Sequence, residues 1–293
     1  MTDAQLLILL STLSTGLLMG AIFALVAAGV TIVYGCVWLP NASNGQFFLL
    51  SALTAWSFTA TWGWTSWAAA LVVLGLGLLL SLALEWVLIR RLYDTPNRNV
   101  AYFVITLGLT QIMSGLFAMT YAKWSDQFSL PPVIPGIAMI GPMPMPLNRL
   151  LVMGLSLLIL MSLFLLLRYH PYGRALRAVF QNREAAALRG VNVKSIYRLS
   201  FVLGSCIIFL GGLLFALAYS FDLTVAWTMS ITAFAIMIIG GPGSVLGALV
   251  VGMVFGFTQA VVSIFASPTA ATFSYLAAML VILLFRPNGL FKK

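Results

Sequence analysis

The sequence predicts an all-α, polytopic membrane bundle of about eight or nine spans with broken helices, forming a single transmembrane domain over residues 1–293. Three observations carry that reading. Hydrophobic residues make up 62% of the chain and charged residues only 7%, against roughly 25% charged in a soluble domain. Residues 4–84 contain no Asp, Glu, Lys or Arg, a stretch no water-exposed fold of that size sustains. Apolar runs recur at the length of a bilayer crossing, about 20 residues.

Divided on that ruler, the chain gives candidate spans at 5–36, 44–62, 66–89, 100–121, 150–168, 199–221, 225–240, 244–266 and 270–286. The 225–240 piece is short for a full crossing, which leaves the total at eight or nine. Met1-Thr2-Asp3 lacks the positive n-region of a cleavable signal, so the first run is expected to stay in the membrane. Pro131-Pro132, Pro135-Gly136 and Gly141-Pro142 mark 122–149 as the one long external loop, built of turns: a packed Pro-rich connector anchored by interfacial aromatics, with Tyr121 and Trp124 at its start along the outer surface. Trp56, Trp62, Trp64 and Trp67 fit an interfacial aromatic belt at the outer ends of two spans.

Thirteen of the fifteen basic residues fall into three groups, Arg90 to Arg98, Arg168 to Arg198, and Arg286 to Lys293. Basic residues in short loops stay on the cytoplasmic side. The expected orientation therefore has the N-terminus outside and the C-terminus inside, with the chain a multi-pass protein of the cell inner membrane in contact with lipid. A net charge of +9 raises nucleic acid as a partner, but the charges sit between apolar spans rather than on a basic face with stacking aromatics, and that class is excluded.

Reactive groups are scarce. His170 is the only histidine; it precedes Pro171 at a helix end and reads as structural, so no histidine-based metal cluster forms within the chain. Cys36 and Cys206 lie in apolar runs and imply no disulfide. Of six acidic residues only Glu85 lies at any depth, and it is expected to reach toward the headgroups or toward Arg90 and Arg91. An ionisable relay for proton coupling is therefore lacking, and so is the Lys-containing phosphate loop. No cofactor is implied, and no nucleophile stands beside a base as an integral membrane enzyme requires. Work for active transport must come from another chain; a gradient-driven carrier or a channel needs none.

Segment 171–198 holds the densest polar pattern. Gly173 is expected to precede a short helix, Asn182 to cap a second, Glu184 to complement its dipole, and Gly190 to end it. The small residues Ala185, Ala186 and Ala187 between Arg183 and Arg189 make either a solvated loop helix or an element on which another protein docks. Elsewhere, Pro40–Gln46 and Gly240–Ser244 interrupt apolar helices, and such breaks either aim helix ends at a solute or only let helices pack closely.

Glu184-Ala185-Ala186 followed by Gly190 resembles the coupling motif of ABC importer permeases. The strings Gly173-Arg174-Ala175, Arg177-Ala178, Gln181-Asn182 and Gly190-Val191-Asn192 are similar to the branched-chain amino acid (LIV-type) permease family. So are Gly20 to Leu25, Tyr34-Gly35, Thr106-Leu107-Gly108-Leu109, Gly240-Gly241-Pro242-Gly243-Ser244, and the ending Arg286 to Phe291. The resemblance implies a transport subunit of an ATP-driven importer and not an enzyme. Its implied partners are ATP-binding cassette subunits, a second related permease subunit and an external solute-binding protein. It assigns ATPase coupling to Arg174, Arg177, Asn182, Glu184, Ala185, Ala186 and Gly190, and the path of a small polar solute to Asn41, Asn44, Gln46, Thr106, Gln111, Gly240, Gly241 and Gly243. Where the family carries Asn-Phe-Ala-His-Gly-Asp or Glu, this chain reads Asn41-Ala42-Ser43-Asn44-Gly45-Gln46. Neutral amides replace both titratable positions, which leaves branched-chain amino acids, other amino acids, amides and urea-like compounds open as cargo.

Overall fold

The computed structural model describes residues 3–37, 41–92, 98–121, 123–124, 127–140, 143–286 and 289–291. Its long helices are α1 (Asp3–Val37), α2 (Asn44–Ala60), α3 (Ser66–Leu84), α4 (Arg98–Tyr121), α5 (Leu147–Tyr169), α8 (Val193–Ala218), α9 (Val225–Gly240), α10 (Val245–Phe265) and α11 (Pro268–Phe285), with the short α6 (Pro171–Gln181) and α7 (Arg183–Leu188) between α5 and α8. All nine long helices fall where the apolar runs place them. Among the described residues, six segments are long and apolar enough to cross a membrane; α9 and the apolar part of α11 are shorter.

The bundle is organised around α1, which is buried along most of its described length and packs against α10, α8, α9 and α5. Lipid tails are as apolar as Leu, so helices in a bilayer associate by close van der Waals fit, and small residues allow it. Here the fit is glycine on backbone. A Cβ added at Gly20 would lie 2.9 Å from Met253 Cα, one at Gly252 2.6 Å from Ala24 Cα, and one at Gly256 would overlap the Gly20 backbone. Lower on α1, a Cβ at Gly29 would lie 2.7 Å from the Gly204 carbonyl oxygen of α8. By contrast α3, α4 and α5 leave most of their apolar surface outward, as lipid-facing helices do.

One feature departs from the turns-and-helices expectation. Residues 122–149 contain an antiparallel hairpin, β1 (Ile137–Ile140) with β2 (Met143–Pro146), paired Ile137 to Pro146 and Ala138 to Met145; Gly141-Pro142 lies outside the described residues. The connector is anchored by a buried aromatic, as a packed connector requires, while most of residues 129–139 stay exposed. Phe128 is fully buried and bridges backbone to backbone with Phe221, and Ser66 Oγ donates to the Pro131 carbonyl at 2.9 Å. Trp56 turns inward onto Phe128, with ring centroids 4.9 Å apart, whereas Trp62, Trp64 and Trp67 remain exposed as a belt requires.

Glu85 begins a π turn, Glu85–Ile89, and is 3% exposed with an interaction inside the protein; of the two expected directions, burial disfavours the headgroups and not the one toward Arg90 and Arg91.

Replacing Gly256 with Leu forces α1 and α10 apart, so the variant is expected to lose about 1–3 kcal/mol or more of stability, seen as a lower melting temperature in detergent. Gly154→Ala, where nothing lies within 4 Å, is the matched control and should melt no lower than the parent.

Candidate functional site

At one end of the bundle the chain builds a rigid elbow from α5 into α6. His170 is the N-cap: its Nδ1 accepts from the Tyr172 amide at 3.2 Å, and Pro171 fills the first helical position. Gly173 falls inside the first turn of α6 instead of before it, because a side chain there would overlap the Leu167 backbone. Arg177 donates to the Leu167 carbonyl and, at 3.4 Å, to that of Arg168, satisfying the last carbonyls of α5. The Tyr172 and Ser200 hydroxyls, 3.0 Å apart, tie α6 to α8.

The six-residue α7 has both of its ends satisfied. Asn182 Oδ1 accepts from the amides of Glu184 and Ala185, each at 3.0 Å. Gly190, at φ +84°, donates to the Ala187 carbonyl at 2.9 Å while Val191 donates to that of Ala186 at 3.1 Å, the paired bonds that close a helix through a left-handed residue. Ala186 is buried against the chain itself, so it offers nothing to a partner; Arg174, Arg183, Glu184, Ala185, Ala187 and Arg189 face outward. Leu188, which the sequence reading passed over, is 89% exposed. Its signal was the apolar residue that breaks an otherwise small-and-charged helix.

Gly240, Gly241 and Gly243 lie at this same end, in the turn joining α9 to α10. Gly241 and Gly243 have φ of +93° and +81°, and a Cβ at Gly240 would lie 2.6 Å from the Gly247 carbonyl carbon. Ser244 Oγ caps α10 by accepting from the Gly247 amide at 3.0 Å. The chain's closing motif packs here too: Leu290 donates to the Ile239 carbonyl at 2.8 Å.

Asn41, Asn44 and Gln46 stand apart from that turn. Gly45 N–H donates to Ser230 Oγ at 2.9 Å, and Ser230 is ten residues above Gly240 on α9, about 15 Å at the helical rise. Ala42 N–H donates to Thr106 Oγ1 at 3.3 Å, eight residues into α4. The start of α2 thus lies near mid-depth of a hydrocarbon core about 30 Å thick. Asn44 and Gln46 belong to the first turn of α2 rather than to a break; Pro40 lies outside the described residues.

Asn41 Oδ1 folds the turn by accepting from Ser43 N and Oγ, at 3.0 and 2.6 Å. Asn41 Nδ2, both amide atoms of Asn44, Gln46 Oε1 and the hydroxyl of Tyr102, one turn from Thr106 on α4, are buried with no protein partner. Asn41, Asn44 and Gln46 are at most 3% exposed. Gln111 is exposed on the outer face of α4 and does not join them.

Above this level, toward the other end, a cavity of about 360 Å³ opens between α1, α8, α9 and α10, lined by Phe23, Gln127, Asp222, Thr228, Thr232 and Gln259 among others. Asp222 Oδ1 accepts from Thr224 N, Thr224 Oγ1 and Val225 N at 2.9, 2.7 and 3.1 Å, setting the start of α9. Thr232, 1% exposed, keeps an unpartnered Oγ1 at the cavity wall. Nearby, the Arg149 guanidinium lies 5.2 Å from the centre of the Tyr219 ring. The sequence reading missed this cavity, although Thr228 and Thr232 stand one turn apart on α9.

Each buried, unpaired amide costs about 1–3 kcal/mol. Asn44→Leu, which keeps the shape and removes two such atoms, is therefore expected to raise the melting temperature by a few degrees. Unchanged stability would mean that water already satisfies the amide.

The family model for the permease component of branched-chain amino acid transport systems matches residues 12–285. The chain is 24% identical over 302 residues to the high-affinity branched-chain amino acid transport system permease protein LivH of Escherichia coli K12, covering 98% of this chain and 96% of that one. It is 25% identical to LivH of Salmonella typhimurium LT2 over 98% and 96% of the two chains, and 24% identical to BraD of Pseudomonas aeruginosa over 96% and 95%. Among solved structures, PsaBC from Streptococcus pneumoniae in complex with Fab shares the fold, with a TM-score of 0.51 at 12% identity over 94% of this chain and 91% of that one.

Proposed function

Because the chain belongs to the family of branched-chain amino acid transport permease components, we propose that it is the membrane subunit of an ATP-driven importer for a small polar solute, foremost an amino acid. It works beside a second permease subunit, cytosolic ATP-binding cassette subunits and an external solute-binding protein. Its helices make eight or nine spans, with the N-terminus outside and the C-terminus in the cytoplasm. In support, the closing motif and α6 and α7 share one end of the bundle, and that end carries the basic clusters.

The observation that carries this reading is α7 itself. A six-residue helix is too short to hold by propensity, yet it is capped at both ends and attached through α6 to α5 and α8. Its exposed surface presents Leu188 between Arg183, Glu184 and Arg189. An exposed Leu on a helix fixed this firmly suits the groove of an ATPase, where buried apolar anchors dominate binding and flanking charges set orientation.

For the solute, the outer cavity and the amide-lined turn at the head of α2 are two successive polar stations. The second carries no ionisable side chain among Asn41, Asn44, Gln46 and Thr106, so it serves a zwitterion or a neutral amide through partial charges and avoids the cost of a buried ion.

Leu188→Glu or Gly190→Leu is expected to cut ATP-dependent uptake about tenfold or more, the scale of losing one interface anchor, with the amount of protein in the membrane unchanged. Normal uptake in both variants, or uptake that persists after ATP depletion, would point to a carrier or channel. Leucine, valine, glutamine and urea offered to the cognate binding protein identify the cargo class.

A further inference from the structure

A second cleft, of about 380 Å³, lies at the α7 end between α1, α5, α6 and α10, with Thr31, Gly35, Arg177, Phe180 and Gly243 on its walls. Phe180 stands two residues before the cap of α7. Its ring meets two backbones that carry no side chain. A Cβ at Gly35, near the end of α1, would lie 3.1 Å from Phe180 Cε2 and 2.9 Å from Gly243 Cα; a Cβ at Gly243 would lie 2.5 Å from Phe180 Cε2 and Cζ. One aromatic edge therefore bears on α1 and on the α9–α10 turn together.

Resting on the coupling role proposed above, we infer that Phe180 is the positioning residue through which movement of α7 reaches the solute path. Gly173 fixes the first turn of α6 against α5, and the Arg177 side chain reaches back from the middle of α6 to the end of α5, so α6 swings about that elbow instead of sliding. Phe180 lies nine residues beyond Pro171, roughly 13 Å from the pivot at the helical rise, and a swing of about 5° carries its ring about 1 Å. Close-packed groups do not absorb such a shift by compression; they move their neighbours.

Those neighbours are the inner ends of helices that line the cavity farther out: Phe23 on α1, Thr228 and Thr232 on α9, and Gln259 on α10. The two bare glycines are what let the ring sit directly on the backbone, where no rotamer change can dissipate the push. Leu290, bonded to Ile239, holds the turn from its other side.

The test uses the assembled complex of this chain, its partner permease and the ATPases in nanodiscs. A Thr228→Cys reporter is placed in a Cys36→Ser, Cys206→Ser background and labelled with a membrane-impermeant maleimide, with and without ATP and vanadate. With Phe180 in place, the nucleotide is expected to change the labelling rate. In Phe180→Ala that change should shrink about fivefold or more, a loss of the size expected when two sites uncouple, while the ATPase subunits stay bound and hydrolyse ATP. Phe180→Leu, which keeps apolar bulk, should recover most of the response. A nucleotide response of parental size in Phe180→Ala with ATPases bound overturns the inference. If the alanine variant fails to accumulate, Phe180→Val, too short to reach both glycines, is read the same way. Failure of the unmodified chain to bind ATPase rejects the coupling reading itself, and the inference with it; the two failures are thus distinguishable.

Discussion

The contact between α1 and α10 is the constraint from which the architecture follows. A 35-residue helix of almost uniform apolarity has no polar face to orient it, and a bilayer supplies no hydrophobic drive for two such helices to meet. What orients α1 is the row Gly16, Gly20, Ala24 set against Met253, Gly252 and Gly256, where backbones come within van der Waals range of one another. That placement puts the outer part of α1 at the solute cavity and its inner end at the glycine turn and at Phe180. Moving either end without the other would open a gap in packing that lipid tails fill poorly.

Much of this was legible beforehand, because in a membrane chain each helix has to announce itself as an uninterrupted apolar run. The basic loop was legible for a different reason: in a short polar stretch outside the apolar runs, Asn182 and Gly190 are residue types whose local chemistry favours a helix start and a helix stop. What could not be read was tertiary. Nothing in the string Ala185-Ala186-Ala187 tells which alanine turns inward, and only packing against the rest of the chain buries Ala186. Gln111 and Thr106 share a helix and a polar character, yet five positions of separation place them on different faces. The outer cavity eluded the sequence because its lining is scattered: α1 and α8 contribute only apolar residues, and the polar ones come from Gln127, the α8–α9 turn, α9 and Gln259. Phe128 and Trp56 show the same limit in reverse, since aromatics near a span end belong equally well to a lipid interface or, as here, to a plug under a loop.

Charge is almost absent from the interior, and dipoles take its place. Among the described residues, the polar groups gathered near mid-depth are amides, hydroxyls and the head of α2. Each costs less to bury than an ion does, and each pairs with either a donor or an acceptor on whatever passes. Such a lining is forgiving of solute identity, which suits the proposed importer, where selectivity would rest with a separate binding protein outside the membrane. The carboxylate of Asp222 is no exception, because it lies in the connector ahead of α9, with one oxygen occupied by its own turn.

The brevity of α9 has a consequence for permeation. Sixteen residues span about 24 Å at the helical rise, some 6 Å less than the hydrocarbon slab. The Asp222 turn and the Gly241 turn continue α9 at either end with polar backbone rather than with further apolar helix. The uninterrupted apolar helix is thus shorter at α9 than along the lipid-facing α3, α4 and α5, so on the transport reading a polar traveller faces a lower electrostatic toll beside this one helix.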